Sequence, residues 1–166
     1  MTVPTFWMAG CRSDAMGHAR PSPPRWEVRC PSTPLDVRDA LIAAVGWMET
    51  RQLSDDIRGR AELVLAEVCN NICEHAYQGK AQGHIRIRLR AAAPVLLCIV
   101  EDDGMAMPDN APPVPEARPL PDDRDALPEG GFGWSLIKML ASDVRYCRLA
   151  GRNRLDFTVS DIPPDG

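Results

Sequence analysis

The sequence predicts an α/β protein of the α+β two-layer sandwich kind, with helices packed on one face of a mostly antiparallel mixed sheet. Two patterns carry this expectation. Ile57, Ala61, Val64, Val68, Ile72 and Ala76 recur at three- and four-residue steps and form one apolar helical stripe. Ile85, Ile87 and Leu89 alternate with Arg86, Arg88 and Arg90, the period of a strand with one buried face, and residues 95 to 100 follow as an unbroken apolar run. The two strands read as an antiparallel hairpin, and the helical stripe gives its buried face something to pack against.

Length and composition fit one domain with a core of its own: 166 residues, 45% of them hydrophobic. A formal net charge of −4 and a sequence pI near 5.4 argue against direct nucleic-acid binding through a basic field. No apolar run approaches the ~20 residues of a membrane span, so no membrane partner is expected. The six cysteines, Cys11, Cys30, Cys69, Cys73, Cys98 and Cys147, show no CxxC spacing, and four of them fall in apolar segments. They read as reduced, packed thiols, and a cytoplasmic location follows as an expectation. Met8-Ala9-Gly10-Cys11 lacks the basic and apolar regions that precede a lipoprotein cleavage site, so no signal peptide is expected.

In chain order, residues 1 to 24 mix Pro, Gly, Ser and Arg without periodicity and read as a disordered tail, with the folded domain spanning 25 to 162. Residues 26 to 30 suggest a short strand. Thr33 as N-cap, Pro34 at the first helical position and Asp36 in the first turn then open a helix carrying Val37, Leu41, Val45 and Met48, ending near Arg51. Ser54 caps the next helix, with Asp55 and Asp56 at its positive dipole end and Gly79 as its stop, so it should run from about 55 to 78. After the hairpin, residues 105 to 130 hold seven prolines and six acidic residues, which excludes a core element and suggests a mobile lid. An apolar helix over 134 to 141 follows, then strands over 144 to 149 and 154 to 160 joined by a turn at Gly151-Arg152-Asn153.

Three short segments carry side chains suited to chemistry. Glu67 and Asn71 stand four residues apart on one side of a helix; a carboxylate can take a proton, and an amide oxygen is a neutral hard ligand suited to Mg²⁺. Asp102, at a strand end, would point into a cleft, and Gly104 would let the backbone come close to whatever is bound there. Gly131-Phe132-Gly133 opens a helix whose backbone N–H groups and dipole favour phosphate. Alone, each signal is also what a solvated helix rim, an ordinary strand exit or a tight turn produces. Cys69, Cys73 and His75 do not make a metal site, because Cys73 and His75 are two residues apart and point in different directions on a helix.

In this order, over residues 26 to 160, the segments resemble the ATP-binding core of the GHKL superfamily, the Bergerat or histidine kinase-like ATPase fold. Glu67-x-x-x-Asn71 with His75-Ala76-Tyr77 looks like its N-box, Asp102-x-Gly104 its G1 box and Gly131-x-Gly133 its G2 box. Within it, the Glu-x-x-x-Asn-x-x-x-His-x-Tyr run and Gly151-Arg152-Asn153-Arg154-Leu155 are similar to the small anti-sigma factors that are also serine-protein kinases, of the RsbW/SpoIIAB type. The resemblance implies ATP and Mg²⁺ as cofactors. It makes Glu67 the general base, Asn71 the Mg²⁺ ligand, Asp102 the adenine contact, and Gly104, Gly131 and Gly133 backbone elements around the nucleotide. It further implies an anti-anti-sigma (STAS-domain) protein as substrate partner, a sigma factor or another regulatory target as the sequestered one, and a homodimer as one assembly open to the chain. The chain departs from the pattern at Ala106, where the G1 box normally has a second glycine, and its Cβ would crowd any left-handed or close-approach geometry. A pure partner-binding module with weak catalysis and a stand-alone ATPase, in which Glu67 activates water, stand as alternatives.

Overall fold

A computed structural model describes residues 23–113 and 133–161. Residues 1–22 of the expected tail, 114–132 of the expected lid and its following turn, and 162–166 lie outside the described residues. The described chain runs β1 (Arg25–Pro31), α1 (Pro34–Glu49), α2 (Asp55–Asn71) and a π turn (Ile72–Ala76). It continues through β2 (His84–Ala92), β3 (Val95–Asp102) and a 3₁₀ turn (Pro108–Asn110) to α3 (Gly133–Leu140), β4 (Ser142–Leu149) and β5 (Arg152–Ser160). The strands form one sheet in the order β1-β2-β3-β5-β4, and every pairing is antiparallel. Among the described residues no helix is long and apolar enough to cross a membrane.

Capping chemistry sets where the helices start. Thr33 accepts a hydrogen bond from the Asp36 N–H at 3.2 Å, with Pro34 following at a position where a missing N–H costs nothing. Ser54 accepts from the Ile57 N–H at 3.2 Å and donates to Asp161 at 2.6 Å, which ties the start of α2 to the chain just past β5. The α2 stripe of Ile57, Ala61, Val64 and Val68 is buried against the inward side chains of the sheet: Ile85, Ile87 and Leu89 from β2, Leu96, Cys98 and Val100 from β3, and Leu155, Phe157 and Val159 from β5. Among the described residues no helix covers the other face, which carries the arginines that alternate with them. Cys30, Cys69 and Cys98 are buried free thiols, and burial pushes the Cys30 thiol up to about 11.

Two boundaries differ from the sequence reading. The long helix does not run unbroken to 78: it passes into the π turn, and Gln78 and Gly79 leave it with φ of 55° and 70°. Tyr77 causes the change of direction. Its ring lies where a side chain on Gly83 would be, its hydroxyl donates to the His84 carbonyl at 3.0 Å and bonds the Asp103 carboxylate, and it accepts from the Asp103 N–H at 3.1 Å. The last turn is also tighter than expected. Ala150 and Gly151 both have positive φ, 49° and 79°, as a two-residue hairpin matching strand twist requires, so Arg152 and Asn153 belong to β5 rather than to the turn.

Candidate functional site

A cavity of about 410 Å³ opens between α2, the π turn and α3 on one side and the ends of β3 and β5 on the other. Its size falls within the ~300–1,000 Å³ of small-molecule sites. Val68, Val100, Leu155 and Trp134 give it apolar walls, and Asn71, Asp102 and Asn153 supply polar groups.

The floor is Asp102, the last residue of β3, which the sheet register places opposite Asn153 of β5. Both are almost wholly buried, at 7% and 4% exposure. Asn153 Nδ2 donates to Asp102 Oδ1 at 2.7 Å, and the Gly104 N–H donates to the same oxygen at 2.8 Å. No hydrogen bond joins Oδ2 to another of the described residues, which leaves it to accept from a donor in the cavity. Burial raises the Asp102 pKa, and the bonds from Asn153 and Gly104 only partly counter it.

Asn153 also fastens the segment beyond β3. Its Nδ2 donates to the Met105 carbonyl at 2.9 Å, and its Oδ1 accepts from the Tyr146 hydroxyl at 2.7 Å and from Arg148. Tyr146 accepts in turn from the Met107 N–H at 3.1 Å, and Arg148 donates to the Gly104 carbonyl at 2.9 Å. Residues 104–107 are therefore held to the last hairpin. The lid expected to begin at 105 has a first stretch that is anchored and lines the cavity through Met105, Ala106 and Met107. Ala106 does not adopt positive φ, so the left-handed crowding expected of its Cβ does not arise.

Gly104 permits a close approach within the protein. A Cβ there would lie 2.7 Å from the Ala76 carbonyl oxygen and 2.8 Å from the Ala76 Cβ, and the Met105 N–H donates to that same carbonyl at 2.9 Å. The glycine lets the exit of β3 press against the π turn.

The helical wall is built differently. Gly133, the first residue of α3, lies against Glu67 and Asn71: a Cβ on it would be 2.7 Å from Glu67 Oε2 and 3.6 Å from Asn71 Nδ2. Asn71 lines the cavity, while Glu67 stands one helical turn back beside Gly133 and is not among the lining residues. Gly131 lies outside the described residues. Asn71 Nδ2 is shut off from solvent without a hydrogen-bond partner, an arrangement that costs ~1–3 kcal/mol unless a ligand completes it. Nδ2 is a donor suited to a phosphate oxygen and Oδ1 a neutral oxygen ligand. Mg²⁺ that keeps its waters and binds phosphates needs only one or two protein ligands, so these residues fit the ion. Among the described residues no group of three or more His, Cys, Asp or Glu is arranged to hold a metal by itself.

Sequence reasoning missed Asn153, Tyr146, Arg148 and Trp134. Asn153 was within reach, since it keeps the alternation of Leu155, Phe157 and Val159 and must therefore point inward.

Comparison with known protein families matches residues 30–159 to the histidine kinase-like ATPase domain. No curated protein matches the chain. A domain of this kind implies ATP binding. The match spans both walls of the cavity, the whole of β2, β3 and β4, β5 but for Ser160, and the last two residues of β1, and on it the chain belongs to the histidine kinase-like ATPase domain family.

Proposed function

We propose that the chain is a Mg²⁺- and ATP-dependent serine/threonine-protein kinase and anti-sigma regulatory factor, acting on an anti-anti-sigma partner of the STAS type and holding a sigma factor or similar target. The observation that carries this reading is the meeting of Glu67, Asn71 and Gly133 at the edge of a cavity whose floor is Asp102. Asp102 accepts from the adenine amine. Asn71 holds Mg²⁺, which when bound neutralises phosphate charge. Glu67 takes the proton of the attacking serine hydroxyl as the γ-phosphoryl group passes to that oxygen and ADP leaves. The test is incubation of the purified chain with γ-labelled ATP and a STAS-domain protein encoded beside it. Label on a serine or threonine of the partner is the expected result, and tight partner binding with no label would remove the kinase reading.

One observation favours a second reading, a nucleotide-binding module that transfers phosphate slowly or not at all. No lysine or arginine is among the described residues that line the cavity, and phosphoryl transfer depends on cations placed where charge develops. Label confined to released phosphate would instead point to a stand-alone ATPase in which Glu67 activates water.

A further inference from the structure

The face of the sheet that no helix covers is strongly basic. The register sets its outward side chains in rows across the strands: Arg25, Arg90 and Leu97; Glu27, Arg88, Ile99, Asp156 and Arg145; Arg29, Arg86, Glu101, Arg154 and Cys147. Arg152 and His84 extend the surface at one end. Eight arginines thus share a face with the carboxylates of Glu27, Glu101 and Asp156, with Asp143 at the β4 bulge and with Asp103 just past β3, in a chain whose formal net charge is −4.

Part of this charge is compensated. Arg88 bonds Glu101 at 2.6 Å, Arg86 reaches Glu27 at 3.4 Å, and Arg154 bonds Asp156 at 2.7 Å. Arg25, Arg29, Arg90 and Arg152 have no ion pair among the described residues, and two of the direct cross-strand pairs, Arg25 with Arg90 and Arg29 with Arg86, set like charges against each other. Such pairs destabilise a sheet, and a carboxylate at either position would serve the fold better. Burial, followed by the charges of Arg25, Arg88 and Arg154, holds the Arg90 pKa below its usual value. The arginine stems flank an apolar strip of Val95, Leu97 and Ile99, and Ile99 is only 4% exposed although it points to the uncovered side. At one end Arg29, Arg86, Arg152 and His84 line a cleft of about 80 Å³, beside Glu101 and Asp103, with room for one carboxylate side chain.

We propose that this face is a docking surface for an acidic, amphipathic segment of a partner protein, whose carboxylates meet the unpaired arginines while its apolar side chains rest on the arginine stems and the half-buried Val95 and Leu97. Arginine around an apolar centre is a common composition for protein interfaces. Glu27, Glu101 and Asp156 lie among the arginines and would repel a nucleic-acid backbone, whereas a polypeptide can place its charges between them. A second copy is disfavoured, because a two-fold interface would set the same arginine rows against each other. The inference does not rest on the kinase reading. Asp102 and Asn153 face the helices from the same strands whose neighbouring residues face outward, so the partner binds on the opposite side of the sheet from the nucleotide cavity, the two meeting only at Asp102, which also lines the end cleft.

The experiment measures binding of the full chain to a labelled amphipathic peptide, leucines on one face and glutamates along its margins, by fluorescence anisotropy across a salt series. Wild type should bind the peptide, weaken as salt rises, and ignore a version with lysine for glutamate. The double variant Arg25→Glu, Arg29→Glu should bind at least ~10-fold more weakly. Its melting temperature should be no lower than that of wild type and its ATP binding unchanged, since each like-charge pair becomes an opposite one. Arg152→Glu, across the end cleft from Arg29, should give a loss of the same sign by itself. Equal binding by both variants would overturn the proposal. Tighter binding of single-stranded DNA of equal charge than of the peptide would also overturn it, as would a wild-type dimer in sedimentation that the double variant abolishes.

Discussion

The floor and the helical wall of the cavity are finished to different degrees. On the floor, Asp102, Asn153, Tyr146, Arg148 and the backbone of residues 104–107 bond one another, and Asp102 Oδ2 has no hydrogen-bond partner among the described residues. On the wall, Glu67 lies against a glycine and the Asn71 amide nitrogen is buried without a partner. Completed hydrogen bonds fix a shape in advance and suit recognition of a base. Incomplete ones leave capacity that a ligand with mobile charge can use. The floor should therefore answer mutation with lost stability or altered base choice, and the wall with lost chemistry in a protein that still folds.

The sharpest separation is expected at Glu67. Glu67→Gln keeps the size of the side chain and removes the base, so phosphoryl transfer to the partner should fall by ~10²–10⁴ while ATP affinity and melting temperature stay at wild-type values. Single-turnover transfer with labelled ATP, alongside calorimetry, checks both halves. Unchanged transfer would return Glu67 to an ordinary helix rim.

Two glycines give the next contrast. Gly104→Ala meets the Ala76 backbone, which cannot yield, and should cost about 1–3 kcal/mol of stability in urea unfolding. Gly133→Ala meets the far end of the Glu67 side chain, which can swing away. That variant should unfold at nearly the wild-type midpoint and lose transfer, because the base has moved. If both variants lost stability equally, the distinction between floor and wall would fail.

The smallest effect on stability is expected at Asp102. Its carboxyl pKa is raised in the folded protein, chiefly by burial, so its contribution favours folding at acid pH and is lost as pH rises through the raised value. The ionised form is thus a net cost at neutral pH. Asp102→Asn keeps an oxygen to accept from Asn153 Nδ2 and the Gly104 N–H and removes that cost, so the variant should be slightly more stable than wild type at neutral pH. The gain should vanish below the ordinary Asp pKa of about 3.9, where both residues are neutral. Adenine binding should be lost, since a carboxamide nitrogen would face the adenine amine, donor against donor. A variant less stable than wild type at neutral pH would contradict the assigned cause.

Much of this arrangement was legible in the sequence because it is local. The stripe from Ile57 to Val68, the caps Thr33 and Ser54, and the alternation from Ile85 to Leu89 each need only a few neighbouring residues to be read. The rest depends on contacts between distant segments. The alternation through Val159 turns Asn153 inward, but that it meets Asp102 follows only from the pairing of β5 with β3. The π turn is driven by Tyr77 meeting Gly83, His84 and Asp103, which no periodicity in 55 to 78 records. Gly104 was legible as a close approach but not as an approach to Ala76, because which backbone comes near is a property of the packed fold.

The central claim is that one cavity reads adenine at Asp102 and holds Mg²⁺-bound phosphates at Asn71. Isothermal calorimetry of the wild-type chain with ATP and GTP, each with Mg²⁺ and with a chelator, tests it most directly. ATP with Mg²⁺ should bind, chelation should abolish the binding, and GTP should bind far more weakly because it presents a carbonyl where adenine presents its amine. No adenine-nucleotide binding at millimolar ligand, or equal binding of ATP and GTP, would contradict the account.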